Sequence, residues 1–190
     1  MPIISAAAYR LPVVRSPIEM DVVVATDDRI DEIASLLRLA YAEFAPPPGD
    51  SDRPSWDDYY DHEIPDVRGR WPFTSHLIVV EDDAVIGTAC YIPDAADERM
   101  AEDRWPEGYA AMRLLGVHPR ARGRGIGRRL TEACLARARE QGAEWFGLHT
   151  THLMSVARGM YERLGFERFP DNDIPVSDTF VVIAYRTKLA

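Results

Sequence analysis

The seventeen residues Leu114–Leu130, LLGVHPRARGRGIGRRL, constrain this chain more than any other stretch. Leu114, Leu115 and Val117 close an apolar run of strand composition. His118-Pro119 stops that run, because proline cannot donate to a ladder and restrains the residue before it. Arg122-Gly123-Arg124-Gly125-Ile126-Gly127 follows, with glycine at every second place, and a helical period begins at Ile126. Strand, arginine-glycine loop and helix N-terminus is the order of parts that holds a phosphate. Glycines admit close main-chain approach, the helix dipole favours anions, and arginine offers forked donors.

The surrounding chain reads as one domain over 18–190, with an arm at 1–17 that carries three prolines and no clear period. Met20–Ala25 has strand composition. Thr26-Asp27-Asp28 offers helix caps, and Ile30, Ile33, Ala34, Leu37, Ala40 and Tyr41 keep helical spacing until Pro46-Pro47-Pro48-Gly49. An acidic, aromatic stretch over 50–74 includes a short helix from Ser55. His76–Glu81 and Ala84–Tyr91 make a hairpin about Asp82-Asp83. Pro93–Gly108 is a polar, charged connection, and Tyr109–Val117 is the next strand. Ile126, Leu130, Ala133, Cys134 and Ala138 form the buried stripe of the helix after the loop, closed by Gly142. Glu144–Thr151 is a strand. Leu153, Val156, Ala157, Met160, Tyr161 and Leu164 give a second stripe, ended by Gly165. A short strand at Phe166–Phe169, a loop over Pro170–Asp178 and a final strand at Thr179–Arg186 complete the order.

At 190 residues with a formal net charge of −9, the chain argues against general nucleic-acid binding, which needs a basic face. Arg120, Arg122, Arg124, Arg128 and Arg129 nonetheless sit together with no acid among them, which points to a small anionic ligand. No window approaches the length of a membrane span, and the N-terminus lacks the basic region of a signal peptide. Cys90 and Cys134 are isolated thiols, which speaks against a disulfide framework or a metal site and makes a reducing cytoplasm the expected setting. The loop is neither G-x-G-x-x-G, since Arg128 follows Gly127, nor a P-loop, which would need Gly-Lys-Ser/Thr.

Arg122-x-x-Gly125-x-Gly127, placed directly after Val117-His118-Pro119, resembles motif A of the GCN5-related N-acetyltransferases. Tyr161-Glu162-Arg163-Leu164-Gly165-Phe166 resembles the Y-x-x-L-G-F of that family's motif B. The resemblance is close from Tyr109 to Phe169 and rests on element order before that. It implies an α/β (α+β) fold: a mixed, mostly antiparallel central sheet flanked by helices, with strands splayed at the coenzyme A site. It implies acetyl-CoA as co-substrate, no metal, and transfer of an acetyl group to a primary amine of a small molecule or peptide. The pyrophosphate would lie over Arg122, Gly123, Arg124, Gly125, Ile126 and Gly127, with charge added by Arg122 or Arg128. The pantetheine arm would pair with Leu115, Gly116 and Val117, Gly116 suiting a bulge or a close backbone approach. The N–H of Val117 would polarise the thioester carbonyl, and Tyr161 aligns with the family's proton donor to the leaving thiolate.

The resemblance leaves the base open. Many relatives carry a carboxylate on the strand before motif A, where this chain has Arg113. His149, His152, His76, Glu43 and a water relay are the candidates. The acceptor would lie among Tyr41–Phe73 and Pro170–Asp178, where carboxylates with Trp56, Tyr59, Tyr60 and Trp71 suit an amine through charge and cation–π contact. The alternative to an enzyme is a catalytically silent acyl-CoA-binding sensor or regulatory module, and a homodimer is allowed for.

Overall fold

The computed structural model describes residues 20–46, 49–50, 53–99 and 104–189; the arm expected at 1–17 lies outside them. The elements are β1 (Val22–Val24), α1 (Ile30–Tyr41), α2 (Arg53–Asp58), α3 (Val67–Arg70), β2 (Ser75–Glu81), β3 (Ala84–Ile92) and β4 (Tyr109–Val117). They continue as α4 (Ile126–Glu140), β5 (Trp145–Thr150), α5 (Ser155–Arg163), β6 (Glu167–Arg168), β7 (Ile174–Pro175) and β8 (Val181–Lys188). The strands build one eight-stranded sheet in the order β1-β2-β3-β4-β5-β8-β6, with β7 paired to β8. Every pairing is antiparallel except that of β4 with β5, which is parallel. The fold class expected from the sequence is therefore the one observed.

Helices cover both faces, so the central strands are buried on both sides. On one face α1 lays Ile33, Leu37 and Ala40 against Cys90, Ala111 and Leu114, with Ile64 and Val67 beside them. On the other, α4 presents Ile126, Leu130, Cys134 and Ala138 to Val79, Ala89, Tyr91, Phe146 and Leu148. The two cysteines are free and lie in these separate layers. Asp82 and Asp83 both take positive φ, 51° and 64°, as a tight two-residue hairpin turn requires. Among the described residues, no helix is long and apolar enough to cross a membrane.

The connection over 93–108 departs from its polar reading. Ala95 donates to the Tyr109 carbonyl (2.9 Å) and Trp105 to the Ala95 carbonyl (2.8 Å), so its described ends lie back along the start of β4. That buries Trp105, whose ring packs on Tyr109, His149 and Phe169. Gly147 of β5 makes the room: a Cβ there would stand 2.6 Å from Trp105 Cε3 and Cζ3. With Trp105 held on three sides, Gly147→Ala is expected to cost ~1–3 kcal/mol through overpacking. Denaturant unfolding of the purified variant measures this.

Candidate active site

The site begins where β4 and β5 part. Their parallel pairing runs from Tyr109↔Trp145 to Met112↔Leu148 and stops, leaving Arg113–Val117 and His149–Thr150 to diverge. The cause is visible on the other edge of β4. Its register with β3 slips between Cys90↔Arg113 and Thr88↔Gly116, so Leu114 and Leu115 together oppose Ala89. A bulge of this kind bends its strand. Leu114 carries φ +53°, a rare conformation for a bulky residue that persists only where the surroundings enforce it. The bulge therefore falls on Leu114–Leu115. Gly116 serves the close approach instead, because a Cβ there would sit 3.1 Å from Leu37 Cδ2 and 3.4 Å from Ala40 Cβ of α1.

The ladder also sets where the main chain of β4 points. His118 N donates to the Ile86 carbonyl (2.9 Å), which makes that pair hydrogen-bonded. In an antiparallel ladder the next pair, Gly87↔Val117, is then the non-bonded kind, so Val117 turns its N–H and C=O away from β3 and toward the gap. Arg122 Nε reaches the Val117 carbonyl from that side (3.4 Å).

The loop after β4 presents backbone rather than side-chain charge. Gly123 (φ +75°) and Gly125 (φ +78°) take left-handed conformations, and Gly125 is the N-cap of α4 with no side-chain capping bond. Arg129 N is bonded back to the Gly125 carbonyl (3.0 Å), so the N–H groups of Ile126, Gly127 and Arg128 lie in the uncapped first turn. The arginines are compensated by acids distant in sequence or one helical turn away. Arg122 meets Glu43 (2.5 Å) and the Ala40 carbonyl (3.2 Å), Arg124 meets Glu81 (2.5 Å), and Arg128 meets Glu132 (2.8 Å). Three of the five arginines of the basic patch expected from the sequence, Arg122, Arg124 and Arg128, are thus paired with acids.

Leu115, Val117, Arg122, Gly123, Gly125, Ile126, Gly127, Arg128 and Tyr161 border a cleft of about 660 Å³; Gly116 and Arg124 do not. The far wall is α5. Its apolar stripe is shared between core and cleft: Tyr161, at 4% exposure, is buried, Ala157, Met160 and Leu164 are half-buried against the core, and Val156 is 86% exposed. Leu153, Val156, Ala157, Met160 and Leu164 also line the cleft. Tyr161 packs on Phe166 (5.7 Å between centroids), and burial, reinforced by Cys134, pushes its phenol well above the usual range. Among the described residues its hydroxyl makes no hydrogen bond to protein.

A second cleft, of about 690 Å³, shares Tyr41, Met112, Arg113, Leu114, His149 and Thr150 with the first. The two meet at the divergence of β4 and β5. Trp56, Tyr59 and Phe73 line this second cleft, whereas Tyr60 turns its hydroxyl to the Arg38 carbonyl (3.1 Å) and Trp71 stacks on His76. Of the described acids in the 50–74 stretch, only Glu63 and Asp66 reach it. Arg70, Arg99, Trp105 and Phe180 also border it, and the sequence reading singled out none of them.

The base candidates separate clearly. His149 borders both clefts, with Nε2 2.9 Å from the Asn172 carbonyl, a contact that assigns the proton to Nε2. His152 packs edge-on to Phe180 (5.5 Å), and Glu43 is engaged by Arg122. His76 lines neither cleft. It is fully buried in β2, and desolvation with the nearby Arg70 charge pushes its pKa down to about 4. Its folded pKa lies below its unfolded value, so the unfolded chain binds the proton more readily. Stability is then complete above pH ~6.5 and falls as the pH drops toward 4. Between pH 7 and pH 5 this one group is expected to remove about 2 kcal/mol. Urea unfolding at the two pH values should show a smaller loss in His76→Gln.

The Acetyltransferase (GNAT) family model matches residues 33–166, and the chain belongs to that family of acetyltransferases. A mycothiol acetyltransferase from Geodermatophilus obscurus is 38% identical over 66 residues, a stretch covering 35% of this chain and 21% of that protein. The chain thus matches about a fifth of the length of that curated relative. Among solved structures, a GNAT-family acetyltransferase from Staphylococcus aureus Mu50 superposes with a TM-score of 0.66 at 16% identity, over 90% of this chain and 99% of that one. A GCN5-related N-acetyltransferase from Kribbella flavida gives 0.64 at 19% identity, over 92% and 100%. A putative acetyltransferase from Salmonella typhimurium, solved with its cofactor acetyl-CoA, gives 0.61 at 16%, over 90% and 94%.

Proposed function

We propose that this chain moves the acetyl group of acetyl-CoA directly to a primary amine. The observation that carries this reading is the meeting of two clefts at the parting of β4 and β5, one bordered by a glycine loop and helix N-terminus, the other by aromatic and charged side chains. The residues present fit the co-substrate. The first-turn N–H groups of α4 suit a pyrophosphate, aided by the helix dipole. The main chain of Leu115–Val117 lies along the gap, with the polar groups of Val117 turned into it, as pairing with an amide-bearing arm requires. Bound acetyl-CoA supplies the acyl group as a thioester already activated toward an amine.

The protein's part is then to orient, exclude water and move protons. The N–H of Val117 faces the developing oxyanion. Tyr161 keeps its proton at neutral pH because it is buried, and gives it to the departing thiolate. His149, at the junction, receives the amine proton directly or through water. Neither cysteine borders either cleft, which favours direct attack over a thiol-bound acyl intermediate.

Thiol release from acetyl-CoA across a panel of amines tests this. Release that depends on both protein and amine, with the acetylated amine found by mass spectrometry, is expected. Tight CoA binding with no turnover on any amine would instead mark a silent acyl-CoA-binding module.

A further inference from the structure

One buried hydroxyl stands where the two clefts meet and bonds to nothing. Thr150 ends β5, is 3% exposed and borders both clefts. Its Oγ1 is buried, and among the described residues it has no hydrogen-bond partner. A hydroxyl taken out of water without a partner costs free energy, and such groups are rare in folded proteins. Packing does not explain the threonine, because valine has the same outline, suits a strand and carries no such cost.

Position narrows what the hydroxyl serves. The pairing of β4 with β5 ends at Met112↔Leu148, so Thr150 lies two residues past the last pair, beside the opening gap. Side chains alternate along a strand. Phe146 and Leu148 join the layer under α4 that also holds Tyr161, and Thr150 continues that alternation. Gly147 and His149 lie on the opposite face, against Trp105. In the proposed reaction the Val117 N–H serves the oxyanion and Tyr161 the departing thiolate, and both are donors. A primary amine that attacks through its lone pair has two N–H bonds to place, and these need acceptors. A neutral hydroxyl oxygen is such an acceptor.

We propose that Thr150 is a further catalytic residue of the acyl transfer: its Oγ1 accepts a hydrogen bond from the attacking amine and holds the amine lone pair toward the thioester carbonyl. This rests on the acyl-transfer reading and extends it to the acceptor. Rotation about the Cα–Cβ bond moves Oγ1 among staggered positions with no movement of the main chain. No proton passes to or from Oγ1. The amine proton leaves along the other N–H, and the hydroxyl orients the nucleophile.

The test compares Thr150→Val, Thr150→Ser and Thr150→Ala with the parent in thiol release, calorimetric CoA titration and thermal melts. The acceptors are a panel of primary amines led by phenethylamine, whose ring suits the wall of Trp56, Tyr59 and Phe73. Thr150→Val is expected to lower kcat at least about tenfold, to leave CoA affinity within about twofold, and to melt at or above the parent temperature. Thr150→Ser keeps the hydroxyl and is expected to retain most of the activity. Thr150→Ala, which loses hydroxyl and methyl together, is expected to fall with Thr150→Val. The serine–alanine pair decides alone if Thr150→Val does not fold. Turnover by Thr150→Val within about twofold of the parent overturns the inference, as does a Thr150→Ser protein no faster than Thr150→Ala. The two readings fail separately. A parent inactive on every amine sinks the acyl transfer and this role with it, whereas an active parent matched by Thr150→Val sinks the role alone.

Discussion

Tyr161→Phe is expected to lower kcat by roughly 10²–10³-fold while CoA affinity stays within about twofold of the parent. The substitution deletes one oxygen and leaves the ring that packs on Phe166, so the fold and the wall of the donor cleft persist. What goes is the proton. A CoA thiolate, with a pKa near ~8.5 by analogy with cysteine, leaves more easily when protonated in step with bond cleavage. Burial raises the Tyr161 phenol, so the group remains an acid across the neutral range and beyond the ordinary tyrosine value. The sign follows for pH as well. In the parent any loss of activity through Tyr161 ionisation should appear only above pH ~10, and that alkaline limb should vanish in the variant. Steady-state kinetics with separate CoA titrations check both statements. A kcat within twofold of the parent would leave Tyr161 a packing residue.

Much of the strand–loop–helix unit proposed as the donor half was legible because local rules govern it. The bounds of β4, Tyr109–Val117, and the start of α4 at Ile126 follow from an apolar run, a proline stop and a helical period, all short-range signals. The unread features depend on partners far along the chain. Arg122 and Arg124 look like a free basic patch until folding brings up Glu43 and Glu81. Trp105 sits among charges in sequence and becomes core because its N–H bonds Ala95, itself bonded to Tyr109 of β4, and its ring packs over Gly147. The α5 stripe shows another limit: a period says which residues share a face, and not whether that face meets core or cleft. Arg70 gave no signal at all, since only the tertiary fold buries it against the Glu63 and Ile64 carbonyls. The acceptor half is assembled from such long-range meetings, which is why the sequence defined the donor more sharply than the acceptor.

Gly127→Ala should weaken CoA binding about tenfold or more, about 1.4 kcal/mol, while leaving thermal stability unchanged or slightly raised. Gly127 is the second residue of α4 and its φ lies outside the left-handed range, so a side chain is tolerated and glycine is the poorer helix former there. A Cβ at this position would meet Leu115 Cδ2 at 3.7 Å and Met160 Sδ and Val117 Cγ2 at 3.8 Å, ordinary contact distances that demand no movement. Those three side chains border the proposed donor cleft, so the added methyl group takes up space beside the first turn of α4 that the co-substrate needs. Gly123 and Gly125 cannot make this distinction. At φ +75° and +78° any side chain strains the loop, and a loss of binding there would mix altered conformation with blocked access. At Gly127 the two are separate, because the fold accepts the residue and only the ligand is refused. Calorimetric titration with CoA, paired with thermal melts of the free protein, reads them independently. A variant that melts like the parent and still binds CoA like the parent would show that the pyrophosphate does not sit over this turn.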